Sequence, residues 1–240
     1  VQFDGFCDTG SPNPYHINSL YKLRMDKEML LDGYGNQVVV RRQGMVEPRV
    51  ALAADLETAV SSGKGFYVRS RIPDTAFSEW TRNILYLKDR FTIVLDEIRA
   101  RDAGRFDVSC EWDATYSAIP WSVSPRFVQA KNGATITSSL PVTVTVPPAF
   151  GNRRAIQRWC EDLQTGESCV IGNLIYRSRE DGICEYTLEP IGKRGLLVSG
   201  DSKAFACFGS YGAGEFRVEA EAAYLSKERI FAANMQTISW

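Results

Sequence analysis

One stretch restricts the fold of this chain more than any other. It runs Trp80-Thr81-Arg82-Asn83-Ile84-Leu85-Tyr86-Leu87, breaks at Lys88-Asp89-Arg90, and returns as Phe91-Thr92-Ile93-Val94-Leu95-Asp96-Glu97-Ile98. Both arms are rich in β-branched and aromatic residues, which suit a pleated surface better than a helix. Two such arms around a three-residue polar break predict an antiparallel hairpin.

The same pattern recurs along the chain. Gln37-Val38-Val39-Val40-Arg41-Arg42 follows the turn-rich Asp32-Gly33-Tyr34-Gly35-Asn36. Gly65-Phe66-Tyr67-Val68-Arg69-Ser70-Arg71 alternates around aromatics, and Arg105-Phe106-Asp107-Val108-Ser109-Cys110-Glu111-Trp112 alternates with period two. Period two places one face in a core and the other in solvent. Further strands are expected at residues 126–130, 134–137, 142–146, 156–161, 168–176, 183–188, 196–198, 204–208, 216–222 and 229–232. Residues 215–223 hold enough Ala and Glu to read alternatively as a short helix. Pro147-Pro148 cannot continue a central strand.

Many strands, short polar turns and almost no helical periodicity predict an all-β fold. Their number and length favour a large antiparallel multi-sheet β-sandwich, a super-sandwich. Residues 1–146 are expected to form the main β-sandwich with a histidine-bearing N-terminal edge. Residues 147–240 either continue that sandwich or form a small second β domain.

Composition excludes some partners. With 240 residues the chain can bury a sizeable core, and its net charge of −1 offers no basic footprint for nucleic acid. No apolar run approaches the roughly 18–20 residues of a membrane-spanning helix. Neither nucleic acid nor membrane is therefore expected as a partner. Six cysteines occur with no C-x-x-C spacing. Cys110 and Cys207 lie in apolar strand patterns and read as buried thiols. Cys160 and Cys169 flank Gln164-Thr165-Gly166-Glu167, so a disulfide across a hairpin there is one expectation.

The chain has one histidine, His16. That rules out a two-histidine zinc site or an H-E-x-x-H protease, and no G-x-S-x-G elbow or phosphate-binding glycine loop is present. His16 sits in Asn13-Pro14-Tyr15-His16-Ile17-Asn18-Ser19, upstream of Leu31-Asp32-Gly33-Tyr34-Gly35. A histidine and an acid at the ends of neighbouring strands can converge on one point. The plainer alternative is a histidine bonded within its own loop.

Around these residues the sequence resembles the heparinase II/III-like family of polysaccharide lyases. The resemblance rests on the His16 segment with its acidic-glycine turn, on the Trp80/Arg82 strand followed by the Asp96 strand, and on Gln164-Thr165-Gly166-Glu167 with Gly172-Asn173-Leu174-Ile175-Tyr176. It implies the β-sandwich part of an enzyme whose catalytic cleft is completed by a helical toroid domain of the same parent protein. The implied chemistry is β-elimination on a uronic acid. A base removes the C5 proton, neutralising the carboxylate stabilises the carbanion, and an acid protonates the leaving oxygen.

Against the family's H-x-H-x-D pattern this chain reads Pro14-Tyr15-His16-Ile17-Asn18. Two registers stay open. In one, His16 is catalytic with Tyr15 and Tyr34 as helpers. In the other, His16 and Asp32 match metal-site positions, for a divalent ion such as zinc; no cofactor is otherwise required. Asn18, Arg42, Arg69 and Arg71 are candidate substrate contacts. The last three, with Arg41, form a basic rim for an acidic polysaccharide or else an ordinary solvated strand face. Trp80, Trp112, Trp121 and Trp159 either stack on sugars or pack the fold. Asp96 with Glu97 is disfavoured as a carboxylate pair, because adjacent strand residues face opposite ways. Glu111 and Asp113 share a face, and a surface placement is expected for them. A secreted or periplasmic location follows from the polymer substrate. The alternative reading is a non-catalytic glycan-binding or structural β-sandwich domain.

Overall fold

The structure is a computed structural model, and it describes residues 37–44, 54–114, 121–130, 134–145, 153–178 and 184–239. The first strands in chain order are β1 (Gln37–Arg42), β2 (Asp55–Ser62), β3 (Gly65–Thr75), β4 (Ser78–Leu87), β5 (Phe91–Ala100), β6 (Gly104–Ala114) and β7 (Trp121–Ser124). They continue as β8 (Phe127–Ala130), β9 (Ala134–Ser138), β10 (Val142–Thr145), β11 (Arg153–Leu163), β12 (Ser168–Arg177) and β13 (Thr187–Ile191). The last are β14 (Gly195–Ser199), β15 (Lys203–Cys207), β16 (Tyr211–Ala213), β17 (Phe216–Glu219), β18 (Ala222–Ser226), β19 (Ile230–Ala233) and β20 (Thr237–Ser239).

Four sheets result, all of their pairings antiparallel. Sheet I has the order β1-β6-β11-β10, and sheet II the order β2-β3-β4-β5-β12-β9-β8-β7. Sheet III is β13-β14-β15-β18-β19, and sheet IV is β16-β17-β20. Three apolar interfaces stack them. Val38, Phe106, Val108 and Trp112 of sheet I meet Val68, Ile84, Val94 and Ile171 of sheet II. Leu85, Ile93, Leu95 and Leu174 on the other face of sheet II meet Leu196, Val198, Tyr224 and Phe231 of sheet III. Cys207, Ala223 and Leu225 of sheet III then meet Val218 of sheet IV. The all-β super-sandwich is what the structure shows.

Sheet II is the central layer, so its inner strands are buried on both faces. Nine of the ten residues of β5 are buried, with only Arg99 exposed. This accounts for the nearly continuous apolar run at residues 91–98: both alternating sets of side chains need apolar partners. The 80–98 hairpin pairs Leu87 with Phe91 across Lys88-Asp89-Arg90. Asp89 there has a φ of 61°, a left-handed value that Asp tolerates better than most residues. Gly172 of β12 faces sheet III, and a Cβ at that position would stand 3.0 Å from Leu196 Cδ2. Glycine lets the two sheets approach closely at this point.

Two expectations need correcting. Residues 215–223 form no helix: they are β17 and the start of β18, broken at Ala220-Glu221. Val218 and Ala223 are needed in the sheet III–IV core, and that packing overrides weak helix propensity. The Cys160–Cys169 disulfide is also absent, since both thiols are free. Gln164-Thr165-Gly166-Glu167 is an arch between two sheets and not a hairpin, because β11 belongs to sheet I and β12 to sheet II. Cys169 packs between those sheets, whereas Cys160 is exposed. Cys160 lies three residues from Gln157, so it points to the opposite face from Ala155 and Trp159, which pack on sheet II.

Candidate functional site

His16, Tyr15, Tyr34, Asn18 and Asp32 lie outside the described residues. The arginines among the candidates are described. Arg42 ends β1 in sheet I, where its guanidinium lies 4.7 Å from the centre of the Phe77 ring and donates to the Ala103 carbonyl. Arg69 and Arg71 lie on β3 in sheet II. Arg69 pairs with Glu57 at 2.9 Å, and Arg71 bridges Glu57 at 3.4 Å and Glu79 at 3.0 Å. Arg41 is exposed on sheet I. The structure thus puts Arg42 on one layer and Arg69 with Arg71 on another, and two carboxylates already balance the β3 pair.

The motif residues of the hairpin have a different task. Asp96 and Arg82 are both fully buried between sheets I and II. Arg82 Nε donates to Asp96 Oδ1 at 2.7 Å and its terminal NH2 to Oδ2 at 2.9 Å, a bidentate pair. Trp80 Nε1 donates to the same Oδ1 at 2.8 Å. The guanidinium lies 5.0 Å from the Trp80 ring centre and 5.4 Å from that of Trp112. Nearby, Gln157 of β11 and Asn173 of β12 exchange two amide hydrogen bonds across the two sheets. Cys110 Sγ contacts Asp96 Oδ2 at 3.6 Å, and burial with the adjacent carboxylate pushes its pKa up. Trp80, Arg82 and Asp96 therefore form one closed network. Water and substrate have no access to it, and it meets sheet I through the Trp112 ring and the Cys110 thiol.

Carboxylates behave as strand geometry dictates. Asp96 faces sheet I, while Glu97 faces the other way and accepts from Arg194 at 2.7 Å and from Ser168 Oγ at 3.0 Å. Glu111 is buried and bonded to Ser109 at 3.0 Å and Arg154 at 3.1 Å, which differs from the surface position expected for it.

A cleft of about 410 Å3 opens beside the Glu97–Arg194 pair. Its origin is a difference in strand length. β10 pairs with β11 only as far as Gln157, and β9 pairs with β12 only from Asn173 onward. Residues 158–163 of β11 and 168–172 of β12 therefore extend past those neighbours, leaving a notch between sheets I and II. The turn between β13 and β14, with Gly192 and Lys193, closes the third side. Trp159, Glu161, Asp162, Glu167 and Ser168 line it. Of the tryptophans considered above, Trp80 and Trp112 are buried, Trp159 is half-buried at this cleft, and the Trp121 side chain is outside the described set. Cys169 forms part of the cleft wall, and burial pushes its thiol up to about 12. Sequence reasoning singled out Trp159 but not the cleft, whose walls come from distant segments.

Among the described residues, no group of three His, Cys, Asp or Glu side chains is placed to hold a metal ion. No described helix is long and apolar enough to cross a membrane.

Comparisons with known proteins agree with the fold. No family model matches the chain. No curated protein matches either. Among solved structures, it is similar to heparan sulfate lyase HepC from Pedobacter heparinus, with 12% identity, 77% of this chain and 32% of that chain covered, and a TM-score of 0.51. Heparinase III is also found, at 11% identity, with 82% of this chain and 29% of that chain covered and a TM-score of 0.47. The chain spans about a third of the length of HepC. At such identity the HepC likeness establishes a heparinase-like fold.

Proposed function

We propose that this chain is the β-sandwich part of a polysaccharide lyase-like protein that cleaves uronic-acid glycans by β-elimination together with a helical toroid domain. The observation that carries this reading is the stacked antiparallel architecture, similar to that of heparan sulfate lyase HepC over 77% of the chain. The order of the sequence motifs supports it independently. The buried Trp80–Arg82–Asp96 network gives one of those motifs a physical role, bracing neighbouring strands of sheet II beneath sheet I.

In this reading the N-terminal segment contributes His16 to the wall of a cleft, assisted by Tyr15 and Tyr34. Asn18, Arg42, Arg69 and Arg71 contact an acidic polysaccharide. In the second register His16 and Asp32 hold a divalent ion such as zinc. A secreted or periplasmic location goes with a polymeric substrate.

The deciding experiment incubates the full-length parent protein with uronate polysaccharides and follows the ultraviolet absorbance of the unsaturated product. Product from at least one polymer is expected, and His16→Ala should abolish it. Binding without product would instead support the non-catalytic glycan-binding alternative. Activity unchanged in His16→Ala removes His16 from the mechanism. Metal analysis of the purified parent then separates the registers, since stoichiometric metal lost in Asp32→Ala belongs only to the second.

A further inference from the structure

We propose that the cleft between β11, β12 and the β13–β14 turn binds an uncharged sugar residue, with Trp159 as its stacking wall. The proposal does not depend on lyase activity and concerns different residues.

Three observations converge on it. The cavity, at about 410 Å3, lies within the usual range of about 300–1,000 Å3 for small-molecule sites. Its cause is built into the fold, because β9 and β10 stop short of β12 and β11 and leave those segments paired on one side only, with β5 and β6. Trp159 packs one part of its indole on the sheet I–II core and contributes the rest to the cleft. An aromatic fixed in this way offers an apolar plate at little entropic cost, since the core already holds its rotamer.

The polar lining defines the ligand class. Glu161, Asp162 and Glu167 supply acceptors, while Lys193 is the single cationic side chain of the lining. Glu161, Asp162 and Lys193 are exposed and have no ion-pair partner among the described residues. Glu167 already receives the Gln164 amide at 2.7 Å, and Ser168 is committed to Glu97. Arg194, the nearest guanidinium on the closing turn, is held by Glu97 at 2.7 Å. Arg105 stands across the strand pair from Asp162 without forming an ion pair with it among the described residues. The lining keeps an excess of carboxylates and has no free guanidinium fork, so a uronate or sulfate finds repulsion where it would need donors. A neutral polyol presents hydroxyls that donate to carboxylates and accept from an ammonium, and a ring face that stacks on indole. Such a ligand matches the carboxylates, the ammonium and the indole together.

Calorimetric titration of the whole chain with N-acetylchitohexaose, cellohexaose and xylohexaose, alongside a heparan oligosaccharide, tests the proposal. At least one neutral oligomer is expected to bind, and to shift the indole N–H resonance of Trp159. Trp159→Ala should weaken that binding about tenfold or more, and Trp159→Phe should recover part of it. Trp159 also supports the core, so the rim variants Lys193→Ala and Asp162→Asn provide the decision if Trp159→Ala fails to fold. Each should weaken binding several-fold while leaving the melting temperature unchanged. The proposal is overturned if no neutral oligomer binds, if binding survives all of these variants, or if the heparan oligosaccharide is the ligand that moves the Trp159 resonance.

Discussion

The two faces of sheet II solve the same burial problem differently. The face toward sheet I combines apolar side chains with a fully buried charge pair, Arg82–Asp96, and an amide pair, Gln157–Asn173. The face toward sheet III is largely aliphatic and aromatic: Leu85, Ile93, Leu95, Leu196, Val198 and Tyr224. Its main ion pair, Glu97–Arg194, lies at the rim, where the arginine side chain is 42% exposed. A buried pair contributes little net stability, because desolvation offsets attraction. It is demanding in geometry, however: bidentate Arg82, Trp80 and Asp96 fit together in one arrangement. We expect the I–II interface to owe its alignment to polar fit and the II–III interface to owe its cohesion to area and shape.

The strongest way to break this contrast is Asp96→Ala. It strands a buried guanidinium and should cost about 4 kcal/mol in urea unfolding. Replacing both partners, as Arg82→Met with Asp96→Leu, should recover most of that loss. If the double variant is as unstable as the single, polar fit is not what distinguishes this face. On the other face Leu196→Ala should cost about 3 kcal/mol through lost burial and an unfilled cavity, with no second-site replacement that rescues it.

Alkaline pH sharpens the comparison. Burial raises Cys169, between sheets I and II, to about 12, and Cys207, between sheets III and IV, to about 11, from an ordinary value of 9.0. Cys110 is raised as well, by burial first and then by Asp96. Folding therefore retains protons that the unfolded chain releases. The contribution is fully present below pH 9, falls as pH rises, and is gone near pH 11 for Cys207 and pH 12 for Cys169. Each thiol adds a slope approaching about 1.4 kcal/mol per pH unit within its window. The II–III face instead carries Tyr67 and Tyr176, whose phenols burial raises from 10.0, so they enter only at higher pH. Urea midpoints at pH 8, 9 and 10 should show the decline beginning near pH 9, and Cys169→Ala should make it shallower while Cys110 and Cys207 keep part of it. An onset only above pH 10 would assign the effect to the phenols.

The smallest effect is expected at the rim. Glu97→Gln should cost about 0.5–1 kcal/mol, because Arg194 can turn to solvent. A loss near that of Asp96→Ala would mean the II–III interface is also held by charge.

Strand content was legible because it is a local property. The 80–98 hairpin was expected at residues 80–87 and 91–98, and it is observed as β4 and β5, each two residues longer at its outer end. The expected strands at 126–130, 134–137 and 168–176 match β8, β9 and β12 to within a residue. β2 was not foreseen: it is an edge strand with no buried residue, so it carries no apolar alternation to read. β7, β16 and β20 were not foreseen either, being only three or four residues long.

Sequence alone determined that this chain is a stack of antiparallel sheets, because period-two patterning and turn residues act within a few positions of each other. Only the tertiary structure decided the roles of particular side chains. Arg82 and Asp96 meet through the hairpin register, but only sheet I closing over them makes the pair a buried one. Trp159 reads like any strand aromatic until β9 and β10 end early and open a cleft beside it. Charge pairing, burial and cavity shape are set by residues distant in the chain. No local pattern encodes which strand will stop short or which sheet will cover it.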